Sequence, residues 1–120
     1  MIYMFTVPGT LPTMNEILAA AKSMKYAREK KYYTEMVAWA AKAAKLPKLE
    51  RVRVNCYWYL PDKQHDPDNI EAGKKFVLDG IVMAGVLKND GWKQIAGFRD
   101  DFFVDRENPR VEIELMEVGA

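Results

Sequence analysis

Apolar positions along the chain follow two periods, and the alternation between them predicts the elements. Residues 2–7, IYMFTV, form a short run stopped by Pro8-Gly9, which reads as a strand. PTMNEILAAAK reads as a short helix or an ordered loop. From about Tyr26 to Lys45, Tyr33, Met36, Val37, Ala40, Ala41 and Ala44 recur at three- and four-residue intervals, with Pro47 just past the end. That spacing predicts a helix. RVRVNCYWYL, residues 51–60, alternates as a half-buried strand: Val52, Val54, Cys56, Trp58 and Leu60 on one face, Arg53, Asn55, Tyr57 and Tyr59 on the other. From Asp66 to about Ala84 the stripe Ile70, Gly73, Val77 and Ile81, flanked by Phe76 and Met83, predicts a second long helix. Residues 94–104 and 110–118 read as two final strands, with Asn108-Pro109 as a hairpin turn between them. The order β-α-β-α-β-β predicts one α+β domain over residues 1–120, in two layers, with helices packed on one face of a mixed sheet.

Composition narrows the class. The 120 residues are 49% hydrophobic and 29% charged, the balance of a globular chain, with no apolar run long enough to span a bilayer. The start, MIYMFTVPG, lacks the pattern of a secretion signal. One cysteine and one histidine leave neither a disulfide framework nor a structural zinc site, so a reducing cytoplasm is the expected compartment. Cys56 falls on the core face and is expected to be a buried, inert thiol. Net charge is only +1, but residues 1–53 carry six more basic than acidic groups and residues 54–120 five fewer. That asymmetry suits an enzyme acting on a polyanion through bound cations, and suits equally a lysine-rich surface helix.

The chemistry concentrates in HDPDNIEAGKKFVLD, residues 65–79. Taken alone it is a strong helix start: Asp66 can cap, Pro67 suits the first position, and Asp68 complements the macrodipole. Capping does not require the rest. Two carboxylates two residues apart can share a hard, oxygen-seeking cation such as Mg²⁺. On a continuous helix Asp68 aligns with Lys75 and Asp79. A third acid, Asp90, follows in VLKNDGWKQ, and a helix-turn-strand path could return it near the helix start. Three aspartates and a lysine are the inventory of a metal-dependent phosphodiesterase, in which metal-activated water attacks in line and the lysine offsets charge on the phosphorus.

VPGTLPTMNE near the start and HDPDNIEAGKKFVLDGIVMAGVLKNDGWKQI later, in this order and spacing, resemble the RusA-like Holliday junction resolvases, over nearly the whole chain. The resemblance implies a Mg²⁺-dependent homodimeric endodeoxyribonuclease, with Mn²⁺ as a possible substitute, that resolves four-way junctions and related branched DNA in recombination and repair. It assigns catalysis and metal binding to Asp66, Asp68 and Asp90. The family's lysine lies four residues after the second aspartate, where this chain has Ala72. Lys74 and Lys75 are the replacements, and Lys75 is preferred because it keeps the four-residue spacing to Asp79, a candidate supporting group. The family's late acidic pair is reduced to Asn89-Asp90, and the position before Asp66 is His65, not an aromatic wedge. His65 reads as a solvated loop residue, and Trp39 and Trp92 as core or interface residues. Asn15 is expected to orient DNA or a loop.

Lys22, Lys25, Arg28, Lys30 and Lys31, with Lys93 and Arg99, are the expected phosphate contacts. A bacterial or phage-infected cytoplasm is the expected setting. Two other readings remain: a non-catalytic DNA-binding phage accessory protein whose acids are only caps and surface charge, and a metal-dependent nuclease on flaps or forks.

Overall fold

The computed structural model describes residues 1–119. In chain order the elements are strand β1 (Ile2–Pro8), helix α1 (Met14–Ala20), helix α2 (Lys25–Ala43), strand β2 (Val52–Leu60), helix α3 (Pro67–Glu71), helix α4 (Lys74–Met83), strand β3 (Ile95–Val104) and strand β4 (Arg110–Glu117). The strands form one mixed sheet in the order β1-β4-β2-β3. β4 is antiparallel to β1 and β2, while β3 runs parallel to β2. The α+β expectation therefore holds.

The alternation of β2 does what its pattern requires. Val52, Val54, Cys56 and Trp58 are buried beneath the helices, in one cluster with Val37 and Ala41 of α2, Phe76, Val77 and Ile81 of α4, and Val111, Ile113 and Leu115 of β4. The opposite face of the sheet carries polar groups, and there the buried Asn55 amide donates to Glu114 Oε1 at 2.8 Å.

Three expectations change. Residues 94–104 and 110–118 are strands but not a hairpin: β2 lies between them in the sheet. β4 fills the place between β1 and β2, with both neighbours antiparallel, so β3 is left at the edge. The ambiguous PTMNEILAAAK is a helix, started by a capping box in which the Thr13 side chain accepts from the Glu16 N–H and Glu16 reaches back to Thr13. The long helix expected over 66–84 is two helices. At the break, the N–H groups of Gly73, Lys75 and Phe76 bond carbonyls three residues back. A Cβ on Gly73 would lie 3.0 Å from Leu11 Cβ and 3.2 Å from the Trp58 ring, a tight fit that a larger residue could enter only if Leu11 and Trp58 moved by a few tenths of an ångström.

Gly80 sets a second close approach. It lies inside α4, where glycine costs about 1 kcal/mol relative to alanine. A Cβ there would come within 2.5 Å of Val37 Cβ and 3.1 Å of the Ala38 nitrogen, so the backbones of α2 and α4 touch at this point. Gly80→Ala is expected to destabilise the fold by about 1–3 kcal/mol despite the better helix propensity. Urea denaturation followed by circular dichroism measures this, and an unchanged midpoint would refute the close packing.

Candidate active site

β2 ends at Leu60 and the chain loops over to α3, whose N-cap position is Asp66. Pro67 begins the helix and Asp68 lies in its first turn. Asp66 occupies the cap position, yet its side chain makes no capping hydrogen bond. Both carboxylates are exposed, and among the described residues neither forms a hydrogen bond or ion pair. The helix start alone therefore does not account for them. Asn69, next in the chain, accepts from the Asn15 backbone N–H at 2.9 Å, tying α3 to α1. The VPGTLPTMNE segment thus acts here as a brace: Leu11 and Thr13 are buried, and Asn15 contributes its main chain.

The two candidate lysines differ sharply. Lys75 is mostly exposed and sits 3.9 Å from Asp79, an ordinary i,i+4 surface pair. Lys74 points inward, its side chain only 13% exposed. Its ammonium meets Asp100 Oδ2 at 2.5 Å, stands 3.8 Å from Glu71 and lies 4.3 Å from the Phe98 ring centroid. The tight turn at Ala72-Gly73 explains the choice. Alignment of Asp68 with Lys75 presumes one continuous α-helix, and each i→i−3 step turns about 20° further than an α-helical one. Asp100 is equally enclosed, and its other oxygen accepts from the Trp58 indole N–H at 2.9 Å.

Sequence reasoning passed over Asp100, Trp58 and Glu71. The signal was available: in IAGFRDDFFV, period-2 alternation puts Asp100 on the same face as Phe98 and Phe102, and a carboxylate there needs a partner. Burial, with Asp100 beside it, pushes the Cys56 thiol from 9.0 to about 12.

Asp90 lies elsewhere. It lines one cleft with Trp92 and residues 95–98 at the start of β3, and another with Tyr26, Lys30, Lys31 and Asp79. Asp66 and His65 line a cleft with Phe102, Phe103 and Val104, at the other end of the same strand. Parallel pairing runs from Val52 with Ile95 to Leu60 with Val104, so Asp90 is not returned to the helix start within one chain. Among the described residues, no three His, Cys, Asp or Glu side chains converge to hold a metal. Aspartate oxygens suit a hard divalent ion, but one chain does not bring the three together.

Of the basic candidates, Lys30 and Lys31 face the Asp90 cleft. Lys25 and Lys31 pair with Glu29 and Glu35 on their own helix. Lys22, Arg28 and Lys93 are exposed, and Arg99 lies on the open face of the sheet, bonded to Asp101 at 2.9 Å. Neither Trp39 nor Trp92 belongs to the core of this chain, since they are 73% and 96% exposed.

A family model described as Endodeoxyribonuclease RusA matches residues 8–116. The chain belongs to the RusA endodeoxyribonuclease family. It is accordingly a hydrolase of the Holliday junction resolvase class, and the family implies branched DNA as its partner. RusA nucleases generally depend on a divalent metal. No curated protein matches the chain. No helix is long and apolar enough to cross a membrane. The match begins at Pro8 and so takes in both the α1 brace and the Asp66–Asp68 helix start.

Two measurements follow from this geometry. Lys74→Ala leaves the Asp100 carboxylate enclosed without its cation and is expected to cost about 3 kcal/mol. Lys75→Ala removes an exposed pair and should cost under about 0.5 kcal/mol. Chemical denaturation of both variants checks the contrast, and equal costs would contradict it. For Cys56, the raised value means that the fold favours the neutral thiol. That contribution to stability is complete below pH 9 and is lost as the pH rises towards about 12. At pH 8 the thiol should therefore resist Ellman's reagent in the folded protein and react promptly in denaturant; rapid modification of the native state would refute its burial.

Proposed function

We propose that this chain is a Mg²⁺-dependent nuclease that resolves four-way DNA junctions as a homodimer, with Asp66, Asp68 and Asp90 as its metal-binding and catalytic carboxylates. Mn²⁺ is the substitute ion on this reading. The observation that carries it is the pair Asp66 and Asp68: two exposed carboxylates at one helix start, free of the capping duty that would otherwise explain them. A divalent ion would supply activation of water and neutralisation of phosphate charge.

The chain's own groups supply the rest. Lys74 is the better placed cation for offsetting charge near the cleaved phosphate, because Asp100, itself bonded by the Trp58 indole, holds it in one position against the strand that separates the acidic clefts. Lys75, preferred on spacing, pairs with Asp79 at the surface. Lys30 and Lys31 beside Asp90, with Lys22, Lys25 and Arg28 on the approach, attract the phosphate backbone, so affinity should fall steeply with salt. A two-fold assembly suits a substrate with near two-fold symmetry, placing one cut on each of two opposed strands.

Cleavage of a synthetic four-way junction, a fork and a linear duplex, with and without Mg²⁺, tests this. The junction should be cut preferentially and only with the metal. Asp68→Asn and Asp90→Asn should each reduce the rate by about 100-fold or more while leaving junction binding intact. Wild-type rates in either variant would reject the carboxylate assignment. Metal-independent binding with no product would favour a non-catalytic DNA-binding protein, and preferential cleavage of the fork a different branched substrate.

A further inference from the structure

Trp92 is the most exposed large apolar side chain among the described residues, 96% open to solvent. Its indole contributes nothing to the core, yet the backbone that carries it is tied down. The Gly91 carbonyl accepts from the Gln94 and Ile95 N–H groups at 3.1 and 3.0 Å, closing one turn about Trp92 and Lys93. The Gln94 carbonyl accepts from the Val52 N–H at 2.8 Å and joins that turn to the start of β2. A large flat ring set on a hydrogen-bonded turn loses little freedom when a partner covers it.

Charge indicates the kind of partner. Lys88 and Lys93 are exposed on either side of Asp90 and Trp92 in KNDGWK. The second cleft that Asp90 lines adds Lys30 and Lys31. These four cations outnumber the acids of the two clefts, Asp79 and Asp90. Cations around an exposed indole suit a polyanion whose units also carry flat rings, and a nucleic acid is such a polymer. The indole stands beside the chemistry as well. With Asp90, Ile95, Ala96 and Phe98 it lines a cleft of about 430 Å³, so lysines and indole flank one carboxylate. Trp39, the other exposed tryptophan, lines neither cleft.

We propose that Trp92 is a DNA-binding residue whose indole stacks on a nucleobase of the cleaved strand, beside the phosphate taken at Asp90. The proposal rests on the nuclease reading above and adds to it a contact with a base. Lysines hold the backbone whatever the sequence, and stacking is equally tolerant, because every base has a flat face. What stacking does require is a base with one face free of its neighbour. Bases at a branch offer such a face, and bases inside an uninterrupted duplex do not. Trp92 therefore favours branched over linear DNA without reading sequence.

Binding and fluorescence test this in buffer free of divalent ions, with a synthetic four-way junction and a linear duplex of matching sequence. Trp92→Ala should weaken junction binding at least about fivefold and duplex binding by less than about twofold. Trp92→Phe keeps a ring and should recover most of the junction affinity. In Trp39→Ala, Trp92 is the one tryptophan left in solvent, because Trp58 is 2% exposed. Its emission should be quenched, and shielded from acrylamide, by the junction and much less by the duplex. That measurement needs no change at residue 92. Emission left unshielded by the junction, or an equal loss on both DNAs in W92A, overturns the proposal. So does altered sedimentation of W92A without DNA, which would make the indole a contact between protein copies. Selective loss of junction binding in W92A, alongside a wild type that cuts no junction, would reject the nuclease reading and leave this contact standing.

Discussion

The parallel pairing of β2 with β3 dictates most of what this chain can do. A parallel neighbour cannot be reached by a tight turn; the chain must cross back over a face of the sheet. Here α3 and α4 make that crossing, on the face already committed to burial by Val52, Val54, Cys56 and Trp58. The consequence is positional. Whatever follows β2 sits at one end of the strand pair, and whatever precedes β3 sits at the other. Asp66 and Asp68 belong to the first group and Asp90 to the second. The separation of the acidic residues is therefore a topological result, fixed before any side chain is placed.

Between those ends the crossing helices meet the sheet at Asp100. An enclosed carboxylate is expensive without partners, and this one has two, the Lys74 ammonium and the Trp58 indole. Each partner comes from a different element, so the three side chains bind α4, β2 and β3 at one point. Trp58 is brought into place by the approach of Gly73, and Gly73 also receives Leu11 from the segment that precedes α1. The N-terminal segment and the α3 start are joined again by Asn15 and Asn69. Local capping at Thr13, the helix break and the enclosed ion pair are thus successive parts of one contact chain.

Much of this was legible in the sequence. Strong alternation gave β2 correctly down to the inward position of Cys56, and the spacing of apolar residues gave α2 and the core face of α4. Two things were not legible. Sequence neighbours β3 and β4 are each plausible partners for the other, and only competition for the place beside β2 decides that β4 goes inside and β3 outside. The break at Ala72-Gly73 was hidden because Gly73 fits the apolar stripe as well as a hinge would; its meaning depends on Trp58, which is distant in sequence. That break separates Lys74 from Lys75 in role, so a choice made from spacing alone lacked the deciding fact. For the carboxylates, the sequence correctly marked the start of α3, but whether Asp66 caps is a matter of side-chain direction.

Charge placement completes the picture in a way that net charge conceals. The chain is nearly neutral, yet the basic start of α2 is folded against the cleft of Asp90, so the cations gathered in the first half of the sequence meet an acid from the second. At the far end of β3, the Asp66 cleft has only Lys63 and His65 among basic side chains in its lining. A phosphate backbone approaching one chain therefore meets a positive field at one end of the strand and two free aspartates at the other. On the proposed reading, a single chain divides its attraction for DNA from the paired carboxylates of Asp66 and Asp68, so neither end of the strand provides both at one place.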